Sequence, residues 1–332
     1  MFMVCVLHVI RMGGYLAPGN DIPATAKFIS TCWGAISIIA VNLYALLTGY
    51  LCINKQWNIA RFIELWILVF FYSYTLYIPD ILPGGQPFVS QKFILLCNPF
   101  TSPYWYFSAY AGLFILIPFL NIGLRKISRR HFSTLLILLY IGFSLLGCWN
   151  VNELAQNGHN ALWLTIMYIF GAYIKLHNVQ ISKGFLLVIF IVAVLINLTA
   201  PRISPFVGQR TMSSYASFSI TLASVSFFAL ALKLNLNKKW ISRTLQWLAP
   251  MAFSVYLIHC HPIMWGTLTH YLESCAEHLS YPWWFIPAFS LMMYISCSMI
   301  DWLRIQLFKL FRIKLLAAKL SNLLPSAIKE LE

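Results

Sequence analysis

Acidic residues are scarce in this chain: nine Asp and Glu stand among 332 residues, and charged side chains of both signs make up only 10%. So little charge excludes an ordinary soluble protein of this length. No C-x-x-C pair occurs, no Cys and His fall at zinc-binding spacing, and no segment repeats at a fixed period. The eight cysteines therefore read as small apolar residues rather than as a metal or redox framework. Cys97 and Cys275 fall in predicted external loops, where the sequence gives no reason to pair them. No soluble domain is expected beside the apolar part.

What is abundant is apolar surface. Hydrophobic residues make up 60% of the chain and the mean hydropathy is +0.74, the composition of an integral membrane protein. The apolar runs suit helices of about 20 residues crossing a hydrocarbon core of about 30 Å, and they lack the alternation of an outer-membrane barrel. Ten runs are predicted, roughly 1–16, 29–53, 62–82, 104–123, 132–149, 161–177, 184–200, 212–232, 244–268 and 283–303. The expected fold is therefore an all-α polytopic membrane protein of about ten transmembrane helices.

A net charge of +14 would suggest nucleic acid in a soluble chain, but here the position of the charges decides its meaning. With the N-terminus inside, only Arg11, Lys27, Lys92, Arg202 and Arg210 of the 23 basic residues fall outside. That bias predicts both termini in the cytoplasm and removes nucleic acid as a partner. The segment after 303, IQLFKLFRIKLLAAKLSNLL, alternates basic and apolar residues and is expected to lie along the inner leaflet. The expected division is a membrane domain over 1–303 and a cationic amphipathic cytoplasmic tail over 304–332.

Within the first run, MFMVCVLHVIRMGGYL, His8 is an ionisable group among Val4, Val6, Leu7, Val9 and Ile10. Such a residue faces the protein interior. Two roles stay open: a hydrogen-bonded core histidine, or a general base whose uncharged ring offers a nitrogen lone pair. Arg11, three residues on, reads as a side chain reaching to the outer interface. Arg61 and Glu64 form either an ion pair or leave Arg61 for an anion. Tyr104, Trp105 and Tyr106 look like an interfacial belt, and the cluster RKISRRH over 125–131 orients the chain or captures phosphates. In FSVYLIHCHPI, Tyr256, His259 and His261 lie in the ninth run. The two histidines, at i and i+2, point apart and make no metal pair unless Pro262 breaks the helix. Asp301 and Arg304 are expected to pair.

In this order, His8, NLYALLTGYL with ARFIELW, YWYFSAYAGLFILIPFLN, GAYIKL and FSVYLIHCHP resemble the membrane acyltransferase-3 family over nearly the whole chain. The resemblance implies a ten-helix enzyme of the cell (inner or plasma) membrane. It implies transfer of an acyl group, commonly acetyl from acetyl-CoA, to a hydroxyl of an extracytoplasmic carbohydrate or lipid-linked glycan. His8 would be catalytic. Arg61, Arg125, Arg129 and Arg130 would hold acyl-CoA, which is a donor substrate rather than a bound cofactor. Tyr104, Trp105, Tyr256 and His259 would form an acceptor or structural polar site, with no metal. Membrane lipid and the glycan acceptor are the expected partners, and a homo-oligomer is left open. The family carries a basic residue upstream of its first-span histidine, at a position that here would precede Met1, so a longer natural start is expected. An appended hydrolase-like domain is not expected, which places the chain with the stand-alone branch. A glycolipid transporter or flippase is the alternative, disfavoured by the lack of repeats and by acids that lie only near interfaces. A non-catalytic assembly partner is the third.

Overall fold

A computed structural model describes residues 1–17, 19, 22–77, 103–146, 155–207, 214–235, 238–278 and 283–325, with side chains of the 155–207 stretch described to 199. The predicted external loop over 79–102 with Cys97, and residues 208–210 of the predicted loop over 201–210, lie outside the described residues, whereas 201–207, expected as loop, continue a helix that begins at Lys183. The described residues are helical, with no strand among them. In chain order the helices are α1 (Phe2–Met12), α2 (Ala24–Ser37), α3 (Ala40–Cys52), α4 (Ile59–Thr75) and α5 (Trp105–Lys126). Next come α6 (Arg129–Leu139) with a π-helical turn at Tyr140–Leu145, α7 (Ala161–His177), α8 (Lys183–Val207) and α9 (Phe218–Leu232). The last five are α10 (Lys239–Leu248), α11 (Ala252–His259), α12 (Pro262–His278), α13 (Phe285–Leu310) and α14 (Ile313–Asn322).

Several starts are set by local chemistry. Asn58, Ser128, Asn160 and Ser217 stand at N-caps in extended backbone, and each side chain accepts the backbone N–H of the third residue on. Asn178, in the left-handed region, ends α7.

Among the described residues, three helical stretches can cross a membrane by length and composition: Ala24–Cys52, Trp105–Lys126 and Phe285–Leu310. Four shorter apolar helices accompany them, Phe2–Met12, Ala161–His177, Lys183–Thr199 and Phe218–Leu232. Large apolar side chains stand exposed along these helices, among them Ile115 and Phe119 on α5, Leu187 and Ile191 on α8, and Ile295 and Met299 on α13. Lipid is the solvent that accepts such faces, since the helices satisfy their own backbone groups. Among the described residues, two of the predicted runs are divided by turns. The run over 29–53 is interrupted at residues 38–39, and the run over 244–268 is divided at residues 249–251 and again at Cys260–His261. The second division has a visible cause: Pro262 brings no N–H and disfavours helical geometry in the residue before it. In the other direction, α13 runs seven residues further than the tenth predicted run, to Leu310, before Arg312 adopts left-handed backbone and α14 begins.

The chain folds as two compact units. One comprises Met1–Ser37, Asn58–Tyr104 and Leu236–Glu330; the other comprises Ile38–Trp57, Trp105–Asn235 and Leu331–Glu332. In the second unit α3 crosses α7 at close range, with α5 also against α7 and α8 against α9. Buried Asn42 on α3 ties three elements together. It donates to the Tyr215 carbonyl at 2.9 Å and to Ser224 Oγ at 3.2 Å, and accepts from Trp163 Nε1 at 2.9 Å. Asn121 on α5 does the same nearer the other end, donating to the Cys52 carbonyl and accepting from Tyr168 Oη. Segments that carried the family resemblance, NLYALLTGYL and GAYIKL, thus contribute packing and buried hydrogen bonds.

In the first unit α1 packs on α2, α12 and α13, while α11 lies against α13 and α4. A buried polar cluster fixes that arrangement. Asp301 on α13 is fully buried and receives Arg304 Nη2 at 2.6 Å, Arg304 Nε at 2.9 Å and Tyr72 Oη from α4 at 2.7 Å. Arg304 also reaches Ser254 Oγ on α11 at 3.5 Å. The expected Asp301–Arg304 pair is therefore present, and it bridges the helix that carries His259.

Candidate active site

His8 sits in the second turn of α1, a helix whose buried face includes Val4, Cys5, Val9 and Met12. That face is pressed against α13 and α12, which leaves the imidazole half-buried and pointing at the end of α11. Its Nδ1 lies 2.7 Å from Nε2 of His259 and 3.3 Å from Sγ of Cys260. His259 is wholly buried, and its Nδ1 contacts the carbonyl oxygen of Val255 one turn back on α11. Among the described residues His8 Nε2 has no hydrogen-bond partner.

The break before Pro262 builds this corner. Cys260 N–H still bonds to the Tyr256 carbonyl, but His261 N–H bonds to Ile258 at 3.3 Å instead of reaching back to Leu257. The Leu257 carbonyl freed in this way accepts the Tyr104 hydroxyl at 2.9 Å. An orphaned carbonyl in an apolar interior costs several kcal/mol, on the order of 2–7, so a donor at this point is a structural necessity. Tyr104 thus has a defined task at the helix break, with its side chain fully buried.

Rings close the walls. Tyr256 stands 6.4 Å from His8 and 5.8 Å from Tyr104, centroid to centroid, while Trp265 on α12 meets His8 edge-on at 5.2 Å. Exposed Arg11 lies over the same Trp265 ring at 5.9 Å.

The first unit therefore unites His8, Tyr104, Tyr256 and His259, four residues singled out from sequence. Trp105 belongs to the second unit, where it stacks on Tyr215 and leans on His159 at 4.6 Å. Arg61 is exposed at the start of α4 in the first unit and forms no ion pair with Glu64. Arg125, Arg129 and Arg130 are exposed in the second unit; Arg125 Nε donates to the Asn121 carbonyl of its own helix, and the other two occupy the first turn of α6. Cys260 and Trp265 escaped sequence reasoning. The only signal was that Cys260 lies within the FSVYLIHCHP segment and Trp265 three residues beyond it.

A metal is one use for this corner, since His8, His259 and Cys260 offer three ligand atoms within 4.8 Å of one another. The spacing argues for a hydrogen bond instead. Two nitrogens bound to one zinc at about 2.0–2.1 Å stand about 3.3 Å apart in tetrahedral geometry, whereas the two rings here approach to 2.7 Å. What remains is a half-buried imidazole held at one nitrogen and open at the other, the arrangement general-base catalysis needs.

Comparison with known proteins identifies the family. Residues 1–302 match the family model of the acyltransferase domain Acyl_transf_3. No curated protein and no solved structure matches the chain. The match spans α1 to most of α13 and includes every residue of the corner just described, so the chain belongs to the membrane acyltransferase-3 family and is an acyltransferase.

Proposed function

We propose that this acyltransferase moves an acyl group, acetyl in the simplest case, from acyl-CoA to a hydroxyl of an extracytoplasmic carbohydrate or glycolipid, with His8 as general base. The observation that carries the proposal is the asymmetry of the His8 ring: Nδ1 is engaged at 2.7 Å while Nε2 is left for an incoming group. In the reaction the acceptor O–H gives its proton to Nε2 as the oxygen attacks the thioester carbonyl. The C–S bond then breaks, and the proton leaves with sulfur as the free thiol. Aromatic edges at Tyr256 and Trp265 suit a sugar face beside the base. The exposed guanidinium groups of Arg61, Arg125, Arg129 and Arg130 suit the phosphates of CoA. A ten-span topology in the cell membrane with cytoplasmic termini, argued from the basic-residue bias, puts those arginines on the side where CoA is found.

The test is acyl transfer by purified protein with radiolabelled acetyl-CoA and a surface glycan fraction. His8→Gln keeps size and polarity but has no titrating nitrogen, so transfer is expected to fall by about 10² to 10⁴ while the protein stays monodisperse. Near-native transfer by His8→Gln would reduce His8 to a packing residue.

A further inference from the structure

The contact between His8 and His259 has a direction, and the Val255 carbonyl sets it. A carbonyl oxygen has no proton to give, so in its contact with His259 Nδ1 the ring is the donor. A neutral imidazole carries one N–H, which leaves His259 Nε2 with a lone pair only. Nδ1 of His8, at 2.7 Å, must then donate to it. Cys260 Sγ, at 3.3 Å from the same Nδ1, takes at most a weak second share of that proton.

We propose that His259 is a positioning residue: backed by the Val255 carbonyl, it locks His8 in the Nδ1–H tautomer and so presents a bare Nε2 to the acceptor hydroxyl. The inference rests on the assignment of His8 as general base and extends it to a residue that touches no substrate. Burial separates the two roles. The His259 ring is closed off from solvent at 0% exposure, whereas the His8 ring is half-buried. In the other tautomer two nitrogen lone pairs would face each other across 2.7 Å, and His8 would offer the acceptor a proton it does not want. No proton passes to His259 in the reaction. The hydroxyl proton resides on Nε2 of His8 until the departing sulfur takes it, and Nδ1–H stays bonded to His259 throughout.

Nitrogen-15 NMR of protein carrying labelled histidine, with the His8 signals assigned by their loss in His8→Gln, reads the tautomer directly. Wild type is expected to show Nδ1 protonated and Nε2 bare on His8. His259→Leu removes the acceptor. The Nε2–H form should then appear and kcat should fall by about 10² to 10⁴, the scale seen when a catalytic histidine takes the wrong tautomer, with KM for both substrates little changed. His259→Gln, whose Oε1 can accept the Nδ1 proton, should restore the wild-type tautomer and most of the turnover. A wild-type His8 protonated on Nε2 overturns the proposal. So does stoichiometric zinc in the purified protein, or wild-type turnover in His259→Leu. Because the spectrum requires no turnover, wild type with the Nδ1–H form but no acyl transfer would remove the base assignment and leave the lock standing. If His259→Leu does not fold, the wild-type and His259→Gln spectra still decide the matter.

Discussion

Gly49 and Gly171 face each other's helices where α3 crosses α7: a Cβ on Gly49 would fall on the Tyr168 carbonyl, and one on Gly171 on the Leu46 carbonyl. Neither carbonyl belongs to a flexible side chain, so neither can swing aside. Gly49→Ala and Gly171→Ala should each destabilise the protein by about 1–3 kcal/mol through overpacking, read as a lower thermal midpoint in detergent. Gly123→Ala on α5 is the control. Nothing lies within 4 Å of its added Cβ, so better helix propensity should raise stability by about 0.5–1 kcal/mol.

The Asp301 cluster predicts a larger loss. Asp301→Asn leaves Arg304, with 11% of its side chain exposed, without its countercharge, and breaking a buried pair from one side costs about 3–5 kcal/mol. Tyr72→Phe removes only a hydrogen bond and should cost about 1 kcal/mol. Joint replacement, Asp301→Leu with Arg304→Met, should recover much of the Asp301→Asn loss. Equal damage from the single and joint variants, in chemical unfolding, would show that the charges matter little.

Cys260 is the obvious rival nucleophile, being 3.3 Å from His8. The nitrogen it approaches is the one that carries a proton, so it cannot activate the thiol. Cys260→Ala is therefore expected to keep most of the wild-type turnover, and intact mass spectrometry after mixing with acetyl-CoA should find no adduct on this residue. Loss of turnover in Cys260→Ala would point to a thioester intermediate.

Arg129→Ala and Arg130→Ala, and separately Arg61→Ala, should raise the apparent KM for acyl-CoA by about tenfold for each guanidinium–phosphate pair removed, with little effect on acceptor KM. An unchanged donor KM in all of them would return these arginines to a role in orienting the chain.

The all-helical, apolar character was legible because apolar length is a property of short windows. Ala161–His177 matches its predicted run at both ends. The break at 38–39 was not legible: Ser37, Ile38 and Ile39 include neither Pro nor Gly. Pro262 did announce irregularity, but not that His259 would end a helix of eight residues and turn toward α1. The site was readable one residue at a time. His8 and His259 each stood out as polar groups in apolar runs, yet their contact spans 251 positions, and no local pattern encodes such a pairing. Tyr104 and Trp105 look alike in sequence, as neighbours in an aromatic triplet. Only the Leu257 carbonyl, freed by a proline far along the chain, gives Tyr104 its separate task.

That separation also has a timetable. The first unit is assembled from three stretches of chain, and α1 is made long before α11. At a synthesis rate of about 5–20 residues per second, the 251 positions between the two rings take roughly 10–50 s. Throughout that interval a newborn α1 holds a histidine without the neighbour it was folded to meet. The nascent protein therefore keeps its first helix waiting, polar and incomplete, until nearly the last helices are delivered. A ribosome that stalls before residue 259 releases a chain whose reactive ring was never set.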